Sequence, residues 1–198
     1  MERQQKPYVI AIAAVSGGGK TTVTKRLTAT LSNSKALYFD DYEFDGEPDD
    51  IREWVEKGSD HNVWNLSPLI NQIQLLLSEH IPPLDYILLD YPFAYAHEEM
   101  SKLINFTIFI DTPLDMAMAR RILRDFAEES IENVRNDMEN YLSRGRNAYL
   151  DMLRTTKPNS DFIVDGSLPL DTIVATITEE INNKKSRKEE SPLYEPTN

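Results

Sequence analysis

Apolar residues in this chain gather in short runs separated by stretches with helical spacing. The first run is Val9-Ile10-Ala11-Ile12-Ala13-Ala14, and four more follow at 36–39, 86–89, 106–110 and 161–164. Short apolar runs bounded by turn formers read as buried strands. Between them, Val23, Leu27 and Leu31 recur one helical turn apart. Leu69, Ile70, Ile73, Leu76 and Leu77 share a face behind Ser67-Pro68, an N-cap and first-turn pair. Thr112-Pro113 repeats that device ahead of Met116, Ala119 and Leu123. Ile131, Val134, Met138, Tyr141 and Leu142 predict another amphipathic helix, and Ile173, Ile177 and Ile181 a last one. Strands alternating with helices predict an α/β fold, a five-stranded parallel sheet with helices on both faces. Ligands of such sheets bind at the carboxyl ends of the strands.

A chain of 198 residues can bury a sizeable core, and with neither repeat nor linker it reads as one domain over 1–183. From Lys184 the sequence becomes charged and carries Pro192 and Pro196, so 184–198 reads as a disordered tail. A net charge of −12 argues against nucleic acid as a partner, which requires a basic face. The absence of cysteine excludes disulfides and thiolate metal sites and fits a reducing compartment. Met1-Glu2-Arg3-Gln4-Gln5-Lys6 is polar and leads straight into a strand, and no apolar run approaches membrane-spanning length. The expectation is a cytoplasmic protein without membrane attachment; a homo-oligomer is compatible with the sequence.

The chemistry starts after the first strand, at Ser16-Gly17-Gly18-Gly19-Lys20-Thr21-Thr22. Consecutive glycines let the backbone turn tightly with its N–H groups facing an anion, and the start of a helix adds its positive end. Lys20 can reach β- and γ-phosphates, and the Thr21 hydroxyl can coordinate Mg²⁺. The strict pattern places Gly where this chain has Ala14.

Acidic residues stand where the other strands stop: Asp40-Asp41-Tyr42, Asp90, Asp111-Thr112 and Asp165-Gly166-Ser167. Each also has an ordinary reading as a turn or cap residue. Phosphoryl transfer asks for a carboxylate near the acceptor hydroxyl, for which Asp40 is the candidate base and Asp41 its rival. Asp90 is the candidate for holding Mg²⁺ or its water. The string Arg120-Arg121-Ile122-Leu123-Arg124-Asp125 offers cations for developing negative charge, with Arg121 and Arg124 on neighbouring turns.

These pieces resemble the uridine kinase and phosphoribulokinase family of P-loop kinases, which includes nicotinamide riboside kinases. The likeness runs from Val9 to Ile181 and rests on the glycine loop, Phe39-Asp40-Asp41-Tyr42, Asp60-His61-Asn62, Leu89-Asp90, the arginine string and Asp161-Phe162-Ile163-Val164. It implies a P-loop nucleoside-triphosphate-binding fold with a helical lid at about 120–150, and ATP and Mg²⁺ as cofactors. It further implies transfer of the γ-phosphoryl group to a hydroxyl of a nucleoside-like small-molecule acceptor. In that reading Lys20, Asp40, Arg121 and Arg124 are catalytic, and Thr21 and Asp90 serve the metal. Ser16 through Thr22, with Asp165 and Gly166, hold the nucleotide, and Asp41, Tyr42, Asp60, His61, Tyr91 and Arg121 border the acceptor. The chain departs from the family in Asn62 after Asp-His, in Asp90-Tyr91, and in Glu129-Ser130-Ile131 where uridine kinases read Arg-Gly-Arg. Arg144-Gly145-Arg146 is a candidate substitute for those cations. The missing arginines leave open an alternative, a nucleotide-dependent switch or ATPase acting on a protein partner.

Overall fold

Five strands, β1 (Tyr8–Ala13), β2 (Ser34–Tyr38), β3 (Tyr86–Asp90), β4 (Phe106–Asp111) and β5 (Phe162–Asp165), pair in the order β2-β3-β1-β4-β5. All the pairings are parallel. The computed structural model describes residues 6–78 and 84–190, with side chains as far as 186. Strands β1, β3 and β4 are buried along almost their whole length, whereas the edge strands β2 and β5 are only partly covered. That is why the central strands read as unbroken apolar runs.

Helices cover both faces. On one, α1 (Lys20–Thr30) and α8 (Leu170–Glu190) lay Val23, Leu27, Ile173, Ile177 and Ile181 against Ile10, Ile12, Leu88, Phe106 and Ile108. Across the sheet, α2 (Ile51–Glu56) adds Trp54 to the second layer and α3 (Ser67–Ser78) packs Leu69, Ile70, Ile73 and Leu76 on Val9, Ala11, Ile87 and Leu89. The one-turn α4 (Glu98–Ser101) buries Met100 in the same layer. A smaller cluster sets Ala117 of α5 (Leu114–Asp125) and Tyr149 of α7 (Arg146–Arg154) on Ala13, Val15 and Phe109. Between α5 and α7 runs α6 (Ile131–Asn140), followed by a π-turn at Tyr141–Gly145. Among the described residues no helix is long and apolar enough to cross a membrane.

The register positions the strand ends. Ile12 of β1 and Tyr38 of β2 both lie level with Asp90 of β3, so the chain leaves β1, β2 and β3 at one edge. Strands on opposite sides of β1 are filled by successive parts of the chain, so this edge holds the topological switch point.

Six sequence expectations change. The strand expected at 36–39 is Ser34–Tyr38, and Phe39–Asp41 instead form a 3₁₀ turn. Asn65, not Ser67, caps α3, its Oδ1 accepting from the Ser67 N–H at 3.2 Å. In α5 the inward residues are Ala117 and, half-buried, Leu114, Met118 and Arg121, while Ala119 and Leu123 are exposed. Thr112 does not cap that helix, because its hydroxyl donates to the Gly18 carbonyl at 2.8 Å. The helix expected from Ile131 through Leu142 forms, α-helical to Asn140 and then passing into the π-turn, but Ile131 and Leu142 are exposed rather than on a buried face. The tail expected to be disordered from Lys184 is helical as far as Glu190, with Lys184 over the Phe106 ring and Lys185 over the Tyr86 ring. Amphipathic lysine stems lying on aromatic faces extend the helix past the last buried isoleucine. The remaining tail at 191–198 and the polar start at 1–5 lie outside the described residues.

Candidate functional site

The glycine loop leaves β1 and turns back at once, with the Gly18 N–H donating to the Val15 carbonyl at 2.8 Å. At Gly17 (φ 75°) a Cβ would stand 2.0 Å from the Ala117 carbonyl oxygen, so the loop lies directly on α5. Gly19 (φ 95°) precedes α1 with nothing within 4 Å of where a Cβ would stand. The first turn of α1 has neither a side-chain cap nor an acidic residue. Its N–H groups therefore face open space with the positive end of the helix behind them, a setting that suits an anion. The Lys20 ammonium lies beside this turn and is ion-paired with the Asp90 carboxylate, itself 2% exposed.

A cavity of about 940 Å³ opens in front of the loop, at the upper end of small-molecule sites. Ser16, Gly17, Gly19, Lys20, Thr21 and Thr22 form one wall. An aromatic group lines it as well: Phe39, Trp54, Trp64, Phe93 and the His61 ring. His61 lies edge-on to Phe93 at 4.8 Å and to Trp54 at 5.0 Å between centroids. Arg120 and Arg124 of α5 and Ala148, Tyr149, Asp151 and Met152 of α7 complete it. Tyr149 and Ser16 both line it, so α7 borders the loop.

Asp40 is exposed on this cavity, carried by the 3₁₀ turn whose Phe39 is anchored in the core. Asp41 and Tyr42 do not line it; the Tyr42 ring stacks on Phe44. Of the two rival bases, Asp40 is thus the one that faces the cavity. Arg124 lines the cavity as well, forked on Asp125 at 2.6 and 3.0 Å, with Asp40 among the charges acting on it.

Several expected site residues stand elsewhere. Arg121 runs behind the loop and is ion-paired with Asp137 of α6, while Arg120 lines the cavity and points to the Gly166 carbonyl at 3.5 Å. Asp60 is exposed and caps its own 3₁₀ turn, accepting from the Asn62 N–H at 3.0 Å, so only His61 of that pair reaches the cavity. Burial holds the His61 imidazole below its ordinary pKa, against the pull of Asp151 and Asp60. Tyr91 is 0% exposed, packed on Phe93 and Phe39, and its hydroxyl has no hydrogen-bond partner among the described residues. Burial pushes that phenol up, and Pro92 and Phe93 line the cavity in its place. Neither Asp165 nor Gly166 lines it: the Asp165 carboxylate accepts from the Ser167 hydroxyl (2.6 Å) and N–H (2.8 Å), which holds it below the usual range. Arg144 is forked on Glu56 of α2 at 3.1 Å, so it supplies no cation to the cavity.

Sequence reading missed Arg120, Tyr149, Asp151 and Trp54. Arg120 was named in the arginine string without a role of its own; the other three carry no motif.

Among the described residues no group of three or more histidines or carboxylates could hold a metal alone. Of the two expected metal residues, Thr21 lines the cavity, whereas Asp90 does not and is buried against Lys20. A threonine hydroxyl with helix-start N–H groups for the phosphates fits Mg²⁺ carried by a triphosphate, since Mg²⁺ keeps waters and phosphate oxygens as most of its ligands.

Residues 59–172 match the phosphoribulokinase / uridine kinase family. The uridine kinase of Ligilactobacillus salivarius is 23% identical over 210 residues, covering 92% of this chain and 98% of that protein. That of Leuconostoc citreum is 28% identical over 184 residues, covering 80% and 87%. Among solved structures, a gluconokinase from Sinorhizobium meliloti superposes with a TM-score of 0.50 at 15% identity, covering 91% of this chain and 98% of its own. An uncharacterised protein from Eubacterium ventriosum gives 0.51 at 16% identity, covering 88% and 98%. At these identities the superpositions bear on the fold.

Proposed function

Because the chain belongs to the phosphoribulokinase/uridine kinase family, we propose that it is an ATP- and Mg²⁺-dependent small-molecule kinase acting in the cytoplasm. It transfers the γ-phosphoryl group to a hydroxyl of a nucleoside-like acceptor. The observation that supports this most is one cavity lined by the glycine loop with Lys20, by Asp40 and by a group of aromatic rings.

The loop N–H groups and Lys20 hold the β- and γ-phosphates, and Thr21 and Asp90 serve the metal. Mg²⁺, when bound, neutralises charge on the phosphates. Asp40 accepts the proton of the acceptor hydroxyl as its oxygen bonds to the γ-phosphorus and the bond to the ADP oxygen breaks. Arg124, with Arg120 beside it, offsets the charge that spreads over the transferred group. The acceptor's ring lies among Trp54, His61, Trp64 and Phe93. Incubation with Mg·ATP and a nucleoside panel, read by mass spectrometry, tests this: a phosphorylated nucleoside is expected, and none across the panel overturns it. Asp40→Asn retains ATP binding and loses transfer by about 10²–10⁴-fold.

The alternative, a nucleotide-driven switch, draws support from Arg121 and Arg124 both being held by carboxylates of this chain. Slow ATP hydrolysis insensitive to every acceptor would favour it.

A further inference from the structure

The acceptor half of the cavity contains a carboxylate with no assigned role. Asp151 of α7 lines it, half-buried, and its Oδ2 accepts a hydrogen bond from the Ser59 hydroxyl at 2.8 Å. Ser59 is itself 6% exposed and stands at φ 53°, a left-handed conformation that non-glycine residues adopt only when their surroundings hold them there. Oδ1 has no hydrogen-bond partner, and no cation lies within ion-pair distance, among the described residues. The His61 ring, on which the Asp151 charge acts, has its pKa lowered by burial and makes no ion pair with Asp151. A carboxylate drawn partly out of water beside aromatic rings is favourable only if a donor reaches it. Asp60, the carboxylate that the Asp-His motif offers for the acceptor, is spent on its own turn outside the cavity.

Resting on the kinase reading above, we infer that Asp151, positioned by Ser59, is an acceptor-binding residue whose carboxylate accepts hydrogen bonds from donor groups of the phosphoryl acceptor, in place of Asp60. The shared chemistry is a hydrogen-bond donor, supplied by sugar hydroxyls or by a ring amino group. Acidic acceptors are excluded from this end by the same charge.

Steady-state kinetics on the full chain with Mg·ATP and uridine, 2′-deoxyuridine or cytidine separate the cases. Asp151→Asn keeps an oxygen for the Ser59 hydroxyl, so the fold is retained, and melting temperature checks this. Its KM for uridine rises about tenfold or more, the worth of a hydrogen bond to a charged group, while the KM for ATP stays within about twofold of the unaltered protein. Asp60→Asn, which still caps its turn, leaves both constants unchanged. If the loss on Asp151→Asn is smaller for 2′-deoxyuridine than for uridine, the donor is the sugar diol; if it is larger for cytidine, the donor is the amino group. Either result supports the inference. An unchanged acceptor KM in Asp151→Asn, with transfer intact in the unaltered protein, overturns it and leaves the kinase reading standing. No transfer to any nucleoside by the unaltered protein removes both.

Discussion

The Lys20 ammonium rests on the buried carboxylate of Asp90, so the loop's cation and the third strand's terminal acid are partners before any phosphate arrives. Removing one of them strands the other in a poorly hydrated place. Lys20→Ala is expected to abolish Mg·ATP binding and to cost about 3 kcal/mol of stability, because Asp90 is left unpaired. The double variant Lys20→Ala/Asp90→Asn regains most of that stability and none of the binding. Urea unfolding and titration calorimetry on the three proteins check both halves.

Gly17→Ala and Gly19→Ala should behave differently although both glycines have positive φ. At Gly17 the added methyl meets the Ala117 carbonyl, so α5 must move off the loop; the expected cost is about 3 kcal/mol, with loss of nucleotide affinity. At Gly19 nothing stands within 4 Å, and only the backbone strain of about 1–2 kcal/mol remains. Thermal unfolding and ATP titration distinguish the two.

Tyr91→Phe removes a buried hydroxyl that has no partner among the described residues and keeps the ring in its packing with Phe39 and Phe93. Stability is expected to rise by about 1 kcal/mol, with acceptor KM unchanged. A raised KM would return Tyr91 to the acceptor site.

Burial lowers the His61 pKa from 6.5, so the folded protein binds fewer protons here than the unfolded chain. The sign follows: stability falls as pH drops below about 6.5 and stops falling once the folded value is passed. Asp151, Asp60 and His97 face this ring, and the first two oppose the shift without reversing it. The lowered carboxyls of Asp125 and Asp165 start from 3.8 and lie below this window. Melting temperatures at pH 7.5 and 5.5 should therefore differ less in His61→Phe than in the unaltered protein.

The order of elements and the phosphate loop were legible because apolar period, glycine and lysine all sit close together in sequence. The acids were legible by position and only partly by role. Asp90 and Tyr91 are neighbours at a strand end, where successive side chains point to opposite faces. Asp90 therefore meets Lys20 while Tyr91 turns into the core, and both could not have served the site. The inner face of α5 was misphased because Met116, Ala119 and Leu123 are apolar too, and only packing against Val15 and Phe109 selects Ala117. Asp151 carries no local signal; it reaches Ser59 across a chain separation of 92 residues.

Arg144 straddles α2, forked on Glu56 and 3.8 Å from Asp50, while Ser59 and Asp151 join the same two parts of the chain deeper in. The segments around α2 and α7 are thus joined by two clasps, one at the surface and one more buried. The outer one is ionic and exposed to solvent, so its grip loosens as dissolved salt screens it. Raising the ionic strength therefore weakens the outer clasp, while the inner hydrogen bond, made by a buried Ser59 hydroxyl, is screened much less.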